Sequence, residues 1–269
     1  TETNNYFNRA VQGVYEMGST FKIFSVAQGL ETNLFDVETL IDTTEFRISS
    51  RKIEDKYKFN SKSTVREIIV RSSNVGSARL ALMIGEKGLK EIFSILGLLE
   101  PVGLELREAS ITHPIVPRDW RDITLATTSY GYGISVSLLH LAKAYAILGN
   151  GGFSVEPTIL KKQQDGQTGF RVLKKRTSDE ILKLLEAIVT DKRGTARILA
   201  SKHYRIGGKT GTAEKISVDK RGYQKDKVIS NFVGLFPLTK PKYVIAAFLD
   251  EPENNFLKEP CRYASCTVV

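Results

Sequence analysis

Apolar residues recur at helical spacing in most of the chain and at strand spacing towards its C-terminal end. The helical pattern predicts segments at residues 19–31, 64–71, 74–85, 87–96, 137–148 and 178–189. Three later apolar runs, bounded by glycine, proline or charged turns, predict strands at residues 204–213, 228–236 and 242–250. Because their connections are short, the strands are expected to pair antiparallel.

This order of elements predicts an α+β fold. We expect a mainly antiparallel sheet with helices on both faces and an all-helical part, inserted at roughly residues 32–150, within one domain that spans residues 1–269. With 269 residues, of which 41% are apolar, the chain can bury a full core. No apolar run approaches the roughly 20 residues that a membrane-spanning helix needs.

Charge and metal-binding residue types exclude several function classes. The formal net charge is +9, but lysines and arginines are interleaved with acids and no nucleic-acid motif is present, so no nucleic-acid partner is predicted. Cys261 and Cys266 have a spacing unlike a zinc or redox pair. His113, His140 and His203 have no metal-ligand spacing and are predicted to be structural. We therefore expect no metal and, in the absence of a phosphate loop, no nucleotide cofactor.

A serine followed three residues later by lysine occurs three times, at Ser19, Ser49 and Ser217. The last two lie among charged residues, where a lysine stays hydrated and protonated. Ser19 instead opens an apolar helix, so Lys22 lies on the same face with a lowered pKa and can accept the serine proton. A plain helix cap by Ser19 with a snorkelling lysine remains the alternative for this motif on its own.

Two further strings occur once each, Ser72-Ser73-Asn74 and Lys209-Thr210-Gly211. The first precedes a helix, where it can cap the helix and also present a rigid hydroxyl. The second lies on a glycine-rich strand that a peptide can approach as an added strand, with its cation meeting a carboxylate. The alternative for this strand is an edge that an exposed lysine protects from aggregation.

Together and in this order, the three motifs resemble those of serine enzymes that bind penicillin. The chain is similar over nearly its whole length to the transpeptidase domain of a class B penicillin-binding protein, closest to the division-specific type, since Asn74 ends the second motif. Matching stretches are residues 8–11, 18–22, 72–76, 129–133, 149–152, 207–213 and 229–237. Met17 and Ser137 stand where proline is common, and Glu214 departs from the family pattern after the third motif.

The resemblance implies five catalytic residues. Ser19 is the acylated nucleophile and Lys22 is its base. Ser72 and Asn74 shuttle a proton and orient the substrate, and Lys209 supplies positive charge at the strand edge.

It also implies a substrate-binding set. Thr210, Gly211 and Thr212 receive the carboxylate end of the substrate, and Tyr130 contributes to the same surface. The backbone amides of Ser19 and Thr212 are expected to form the oxyanion hole.

The implied activity is that of a peptidoglycan D,D-transpeptidase, which cross-links stem peptides through a serine acyl-enzyme, needs no cofactor and is inhibited covalently by β-lactams. The implied partners are stem peptides ending in D-Ala-D-Ala and, in the full-length protein, a membrane glycan polymerase and other division proteins. The implied location is the periplasmic face of the bacterial inner membrane, with the anchor outside this chain. The family's sheet has two more strands before the serine helix and a final helix, so we expect truncation at both ends.

Two alternatives remain at this stage. One is a serine β-lactamase or β-lactam sensor, and the other is a catalytically silent fragment or scaffold with the same fold. Class A β-lactamases hydrolyse the acyl-enzyme with a glutamate from a loop between the second and third motifs. No E-x-x-L-N string lies between Asn74 and Lys209, and Glu105 and Glu108 belong to a different pattern. We therefore expect the acyl-enzyme to persist.

Overall fold

The structure is a computed structural model and describes residues 7–161, 169–216, 222–254 and 259–260. Cys261, Cys266 and the motif that begins at Ser217 lie outside these residues. None of the helices in the described ranges combines the length and apolar character needed to cross a bilayer.

Seven α-helices and nine strands form the described part of the chain. The helices are α1 (Lys22–Glu31), α2 (Val65–Val70), α3 (Asn74–Ile95), α4 (Arg107–Ile111), α5 (Asp122–Ser129), α6 (Leu138–Gly149) and α7 (Lys175–Thr190). Short 3-10 helices occur at Gly18–Phe21 and Arg197–Leu199. The strands are β1 (Leu40–Asp42), β2 (Phe46–Ile48), β3 (Arg51–Ile53), β4 (Lys62–Thr64), β5 (Gly207–Ile216), β6 (Tyr223–Phe236), β7 (Tyr243–Asp250), β8 (Glu253–Asn254) and β9 (Glu259–Pro260).

The largest sheet has the strand order β5-β6-β7 and is antiparallel throughout, as the short connections predicted. Helices α6 and α7 pack against it, with α7 on β5 and α6 on β6 and β7. The α+β class is therefore confirmed. Tyr243 and Ile245, at alternate positions of β7, are each 60% exposed, so the presence of helices on both faces of this sheet stays a prediction. The single domain and the part inserted into it also stay predictions.

Helix α1 lies within the hydrophobic core, because all of its residues except Glu31 are buried. Phe24 contacts Phe21 and Tyr145 with ring centroids 5.0 and 5.7 Å apart, both in edge-to-face geometry. The buried Tyr145 hydroxyl donates a hydrogen bond to Thr20 O over 2.8 Å. These contacts fix the chain segment that carries Ser19 and Lys22 to the interior of the protein.

Helix α3 begins at a densely capped N-terminus. Ser73, and not Ser72, is the N-cap residue, because its hydroxyl accepts a hydrogen bond from Gly76 N over 2.8 Å. Asp55 adds its carboxylate to the same helix end, accepting from Asn74 N over 2.5 Å and from Val75 N over 3.1 Å. The cap leaves the Ser72 hydroxyl available for other contacts.

Several elements differ from the sequence prediction. The part expected to be all helical also contains two antiparallel strand pairs, β1 with β4 and β2 with β3. Each of these strands has three residues, too few for the alternation that identifies a strand from sequence. By contrast, the two helices predicted at residues 74–85 and 87–96 are confirmed, because α3 consists of two helical segments separated at Gly85 by non-helical backbone with φ of 73°. Helices α4 and α5 were not predicted.

Candidate active site

Ser19 lies in the 3-10 turn that precedes α1, and two glycines allow this turn to pack closely on its neighbours. Gly18 has φ of 56°, and a Cβ atom there would overlap the backbone of Thr212. Gly131 has φ of 80°, and a Cβ atom there would overlap Gly18 O. The backbone segments predicted to form the oxyanion hole, at Ser19 and Thr212, are therefore adjacent.

The Lys22 side chain is buried and points to the second motif. Its Nζ atom donates to Ser72 O over 2.6 Å and lies 3.1 Å from Ser72 Oγ. Loss of hydration lowers the pKa of Lys22 to about 7, although the negative charge of Asp55 opposes the shift. Sequence analysis placed the amine near the Ser19 hydroxyl, but no hydrogen bond joins these two described residues in the structure.

Lys209 approaches the same hydroxyl from β5. Its Nζ atom is fully buried, lies 3.0 Å from Ser72 Oγ and donates to Thr210 O over 3.0 Å. Burial, together with the nearby charge of Lys22, moves the pKa of Lys209 well below its ordinary value. Ser72 Oγ is therefore held between two amines that cannot readily both be protonated.

The backbone of Ser72 is unusual as well. Its φ of 63° is in the left-handed region, which non-glycine residues adopt rarely and at an energetic cost. Helix α2 ends just before this residue and the capped start of α3 follows it, so packing on both sides fixes its conformation. Asn74 begins α3 and has its side-chain Nδ2 atom 3.5 Å from Glu54 O.

A cleft of about 800 Å³ opens over these groups. Five of the predicted site residues line it, namely Ser19, Ser72, Asn74, Thr210 and Thr212. The other lining residues are Asp55, Lys56, Tyr57, Phe59, Arg71, Tyr132, Arg193, Gly194, Thr195, Glu214 and Val228. The three motifs, which lie far apart in the sequence, therefore meet at one concave surface.

The remaining predicted residues lie behind the cleft. Lys22 and Lys209 are buried beneath Ser72. Gly211 packs so closely that a Cβ atom would overlap Met17 O and the Asn231 side chain. Tyr130 is buried and does not line the cleft, whereas Tyr132 does. The structure thus brings together all the predicted residues except Tyr130, and their catalytic roles stay predictions.

The cleft wall also contains a threonine that none of the sequence motifs includes. Thr195, in the loop between α7 and β5, has its Oγ1 atom 3.0 Å from Thr210 Oγ1. Arg193, two residues earlier, forms a salt bridge with Glu67 over 2.8 Å, and Arg71 pairs with the same carboxylate over 3.2 Å. No spacing pattern connects this loop with β5, so only the fold reveals the pair of hydroxyls.

The structure gives His140 a structural role, as predicted. Its Nδ1 atom lies 2.6 Å from Ser137 Oγ and its Nε2 atom lies 2.9 Å from Glu100 O. Burial lowers the pKa of His140 to about 4, so the ring is neutral near pH 7. Among the described residues, no group of three or more histidine, cysteine, aspartate or glutamate side chains is placed to hold a metal ion.

Comparison with known proteins identifies relatives of this chain. The chain is 38% identical over 256 residues to the probable peptidoglycan D,D-transpeptidase FtsI of Caulobacter vibrioides, covering 92% of this chain and 43% of that protein. It is 32% identical over 247 residues to the peptidoglycan D,D-transpeptidase FtsI of Escherichia coli, covering 91% of this chain and 41% of that protein. The chain thus spans less than half the length of these two relatives.

A solved structure and a family model extend the comparison. The transpeptidase domain of penicillin-binding protein 3 from Burkholderia pseudomallei matches with a TM-score of 0.84 and 34% identity, over 91% of this chain and 74% of that one. The model of the penicillin-binding protein transpeptidase domain matches residues 1–263, nearly the whole chain. The resemblance stated from the three motifs is confirmed, and the chain belongs to the penicillin-binding protein transpeptidase domain family.

Proposed function

We propose that this chain is the catalytic domain of a peptidoglycan D,D-transpeptidase that works through a Ser19 acyl-enzyme. The observation that carries the proposal is the position of Ser72 Oγ, 3.1 Å from Lys22 Nζ and 3.0 Å from Lys209 Nζ, at the floor of a cleft that Ser19 lines. A serine needs a nearby base to act as a nucleophile near neutral pH, and a buried neutral amine is such a base.

The reaction begins with attack of Ser19 Oγ on the carbonyl of the penultimate D-alanine of a stem peptide. A bond forms between Ser19 Oγ and the carbonyl carbon, while the hydroxyl proton passes to Lys22 Nζ. The peptide C–N bond then breaks, and Ser72 relays a proton to the departing amine of the terminal D-alanine. An amine of a neighbouring stem attacks the ester, forms the cross-link and releases the Ser19 hydroxyl.

The cleft offers a complementary place for the terminal carboxylate. Thr210 and Thr195 present two hydroxyls 3.0 Å apart, and the cations of Arg71 and Arg193 line the same cleft. Hydroxyl donors with positive charge nearby bind carboxylates well. The backbone amides of Ser19 and Thr212, which belong to adjacent segments, would receive the negative oxygen of the tetrahedral intermediate.

The whole protein's setting is part of the proposal. The relatives named as peptidoglycan D,D-transpeptidases are more than twice as long as this chain. We propose that the full protein acts in cell division at the periplasmic face of the inner membrane, that a membrane glycan polymerase and other division proteins are its partners, and that β-lactams acylate it. Nucleic acid is not among the proposed partners.

Intact-mass spectrometry after incubation with benzylpenicillin tests the proposed nucleophile. The chain should gain one covalent adduct, and Ser19→Ala should gain none. Ser49→Ala is a matched control, because Ser49 begins another serine-x-x-lysine string but is exposed between β2 and β3. An adduct that persists in Ser19→Ala would remove Ser19 from its role. A cooperatively folded chain that gains no adduct would favour a catalytically silent module.

Persistence of the acyl-enzyme separates a transpeptidase from a β-lactamase. Glu105 is occupied at the surface, where its carboxylate accepts hydrogen bonds from the Thr158 hydroxyl and from Ile159 N. Neither Glu105 nor Glu108 lines the cleft. We expect the adduct to survive for many minutes after excess benzylpenicillin is removed, whereas rapid turnover of nitrocefin would favour the β-lactamase alternative.

A further inference from the structure

Glu214 lies on the cleft wall in line with two residues of the proposed site. Thr210, Thr212 and Glu214 occupy alternate positions of β5, and all three line the cleft. Alternate residues of a strand point to the same side and are spaced by about 6.8 Å. Glu214 is therefore one side-chain step beyond Thr212, on the side away from Thr210.

The backbone at Glu214 is held in place by a series of partly buried contacts. Glu214 N donates a hydrogen bond to Tyr132 Oη over 3.1 Å. The Tyr132 ring packs edge-to-face on Tyr223 with centroids 5.2 Å apart, and the Tyr223 hydroxyl donates to Glu16 Oε1 over 3.1 Å. Glu16 is itself buried three residues before Ser19. This support ties the position of Glu214 to the turn that carries the nucleophile.

Among the described residues, none forms a hydrogen bond or salt bridge with the Glu214 carboxylate. The other carboxylate on the cleft wall, Asp55, is occupied by the N-terminus of α3 and by the Ser73 hydroxyl. A carboxylate on a fixed backbone that has no partner among the described residues and lines a ligand cleft is available to bind a cation from a ligand.

Positive and negative side chains lie near different residues of the cleft wall. Arg193 is two residues before Thr195, which contacts Thr210, and Arg71 shares the Glu67 carboxylate with Arg193, so two cations and one carboxylate lie near the proposed site of the substrate carboxylate. Glu214 supplies negative charge beyond Thr212 on β5. A third cation of the cleft wall, Lys56, contacts an aromatic ring of the same wall: its Nζ atom lies 4.9 Å from the ring centroid of Tyr57.

We propose that Glu214 and the adjacent Tyr132 ring form a subsite for an ammonium group on the acyl side of the substrate. The inference rests on the proposed function, because the substrate's direction follows from placing its carboxylate at Thr210 and its reacting carbonyl at Thr212. The chemical class selected is a stem peptide with an ammonium-bearing side chain before the acylated D-alanine. Such a cation gains an ion pair with Glu214 and a cation–π contact with Tyr132.

Three penicillins with one scaffold provide a direct test. Benzylpenicillin carries a hydrogen on its side-chain α-carbon, ampicillin carries an ammonium there, and carbenicillin carries a carboxylate. The second-order acylation rate constants are measured for each, and each is divided by that of benzylpenicillin. These ratios do not depend on the fraction of protein that is correctly folded.

In Glu214→Gln, the ampicillin ratio should fall and the carbenicillin ratio should rise, each by about two- to fivefold, as expected for a partly solvated charge pair. Glu214→Lys should move both ratios further in the same directions. Glu86→Gln, which removes an exposed carboxylate on α3, should leave both ratios at their wild-type values.

Two failures are distinguishable. If all three penicillins acylate Ser19 but the ratios do not respond to Glu214→Gln or Glu214→Lys, the ammonium subsite is overturned and the proposed function stands. If none of the penicillins acylates Ser19 in the wild-type chain, the proposed function is overturned, and the subsite with it.

Discussion

Lys22 Nζ and Ser72 Oγ lie 3.1 Å apart, although their residues are separated by fifty positions in the chain. The amine of the first motif is thus oriented by the second motif, which also provides Ser72 O as an acceptor at 2.6 Å. The third motif reaches the same hydroxyl through Lys209. Proton transfer in this site depends on a junction of three segments, and not on the spacing of Ser19 and Lys22 alone.

The pH dependence of acylation should report the ionisation of Lys22. Burial lowers the pKa of Lys22 to about 7, so the neutral amine dominates above that pH and the ammonium dominates below it. The acylation rate with benzylpenicillin should therefore rise with pH, close to tenfold per unit on the acidic side, and level off above about pH 7. Stopped-flow or quenched mass spectrometry between pH 5 and 9 measures the profile.

The control for this profile is Lys22→Arg. A guanidinium remains protonated throughout this range, so the variant should lose about 10²- to 10⁴-fold in acylation rate and show no rise near pH 7. A flat wild-type profile between pH 5 and 9 would contradict a role for Lys22 as the base.

Ser72→Ala and Ser73→Ala should separate activity from stability at neighbouring positions. Ser72→Ala removes the hydroxyl between the two amines, so acylation should slow by at least about 10²-fold. Ser73→Ala removes the N-cap of α3 and the bond to Asp55, so the free energy of unfolding should fall by about 1 kcal/mol. Denaturant unfolding and acylation rates are measured on both variants.

The contrast between these two variants is the informative quantity. The Ser73→Ala variant should acylate much faster per folded molecule than Ser72→Ala. Equal losses of acylation in both variants, with equal losses of stability, would mean that Ser72 acts only through the structure of the α2–α3 junction.

Gly211→Ala should disturb the contact between β5 and the turn that carries Ser19. The new Cβ atom would overlap Met17 O and the Asn231 side chain, which are joined by a hydrogen bond of 3.1 Å. Overpacking of this kind costs about 1–3 kcal/mol of unfolding free energy, and acylation should slow because the oxyanion-hole segments move apart. Thermal or denaturant unfolding measures the first effect.

Gly103→Ala is the matched control for that substitution. At Gly103, no heavy atom lies within 4 Å of the position that a Cβ atom would occupy, and φ is not left-handed. Its replacement should therefore change the unfolding free energy by less than about 0.5 kcal/mol. Similar stability losses for both glycine variants would show that the tight contact at Gly211 is not the cause.

Local information in the sequence was sufficient for the main elements and for most of the site. The apolar pattern predicted α1, α7 and the three antiparallel strands, because elements of eight or more residues that bury apolar side chains are long enough to show a recognisable pattern. The three motifs identified Ser19, Ser72 and Lys209 by residue type and order. The pattern did not reveal the three-residue strands or α4, whose five residues are too few to establish a period.

The tyrosines near the cleft show where local information ends. Tyr130 was chosen from the matching segment, but Tyr132 is the one that lines the cleft. Both lie beside glycines with left-handed φ, 80° at Gly131 and 79° at Gly133. Side-chain direction in such a loop follows neither helical nor strand periodicity, so only the packing of the loop against Ser19 and β5 decides it.

The sequence by itself determined which chemical groups the site contains, since the motifs specify a hydroxyl, amines and a glycine-rich strand. The tertiary structure decided how those groups meet: Ser72 Oγ between the amines of Lys22 and Lys209, and Thr195 beside Thr210. The physical reason is the separation along the sequence of the residues that interact. Helix and strand periods reflect neighbours within a few residues, whereas the distances that set proton transfer and pKa shifts join segments up to 137 residues apart and exist only after the core has packed.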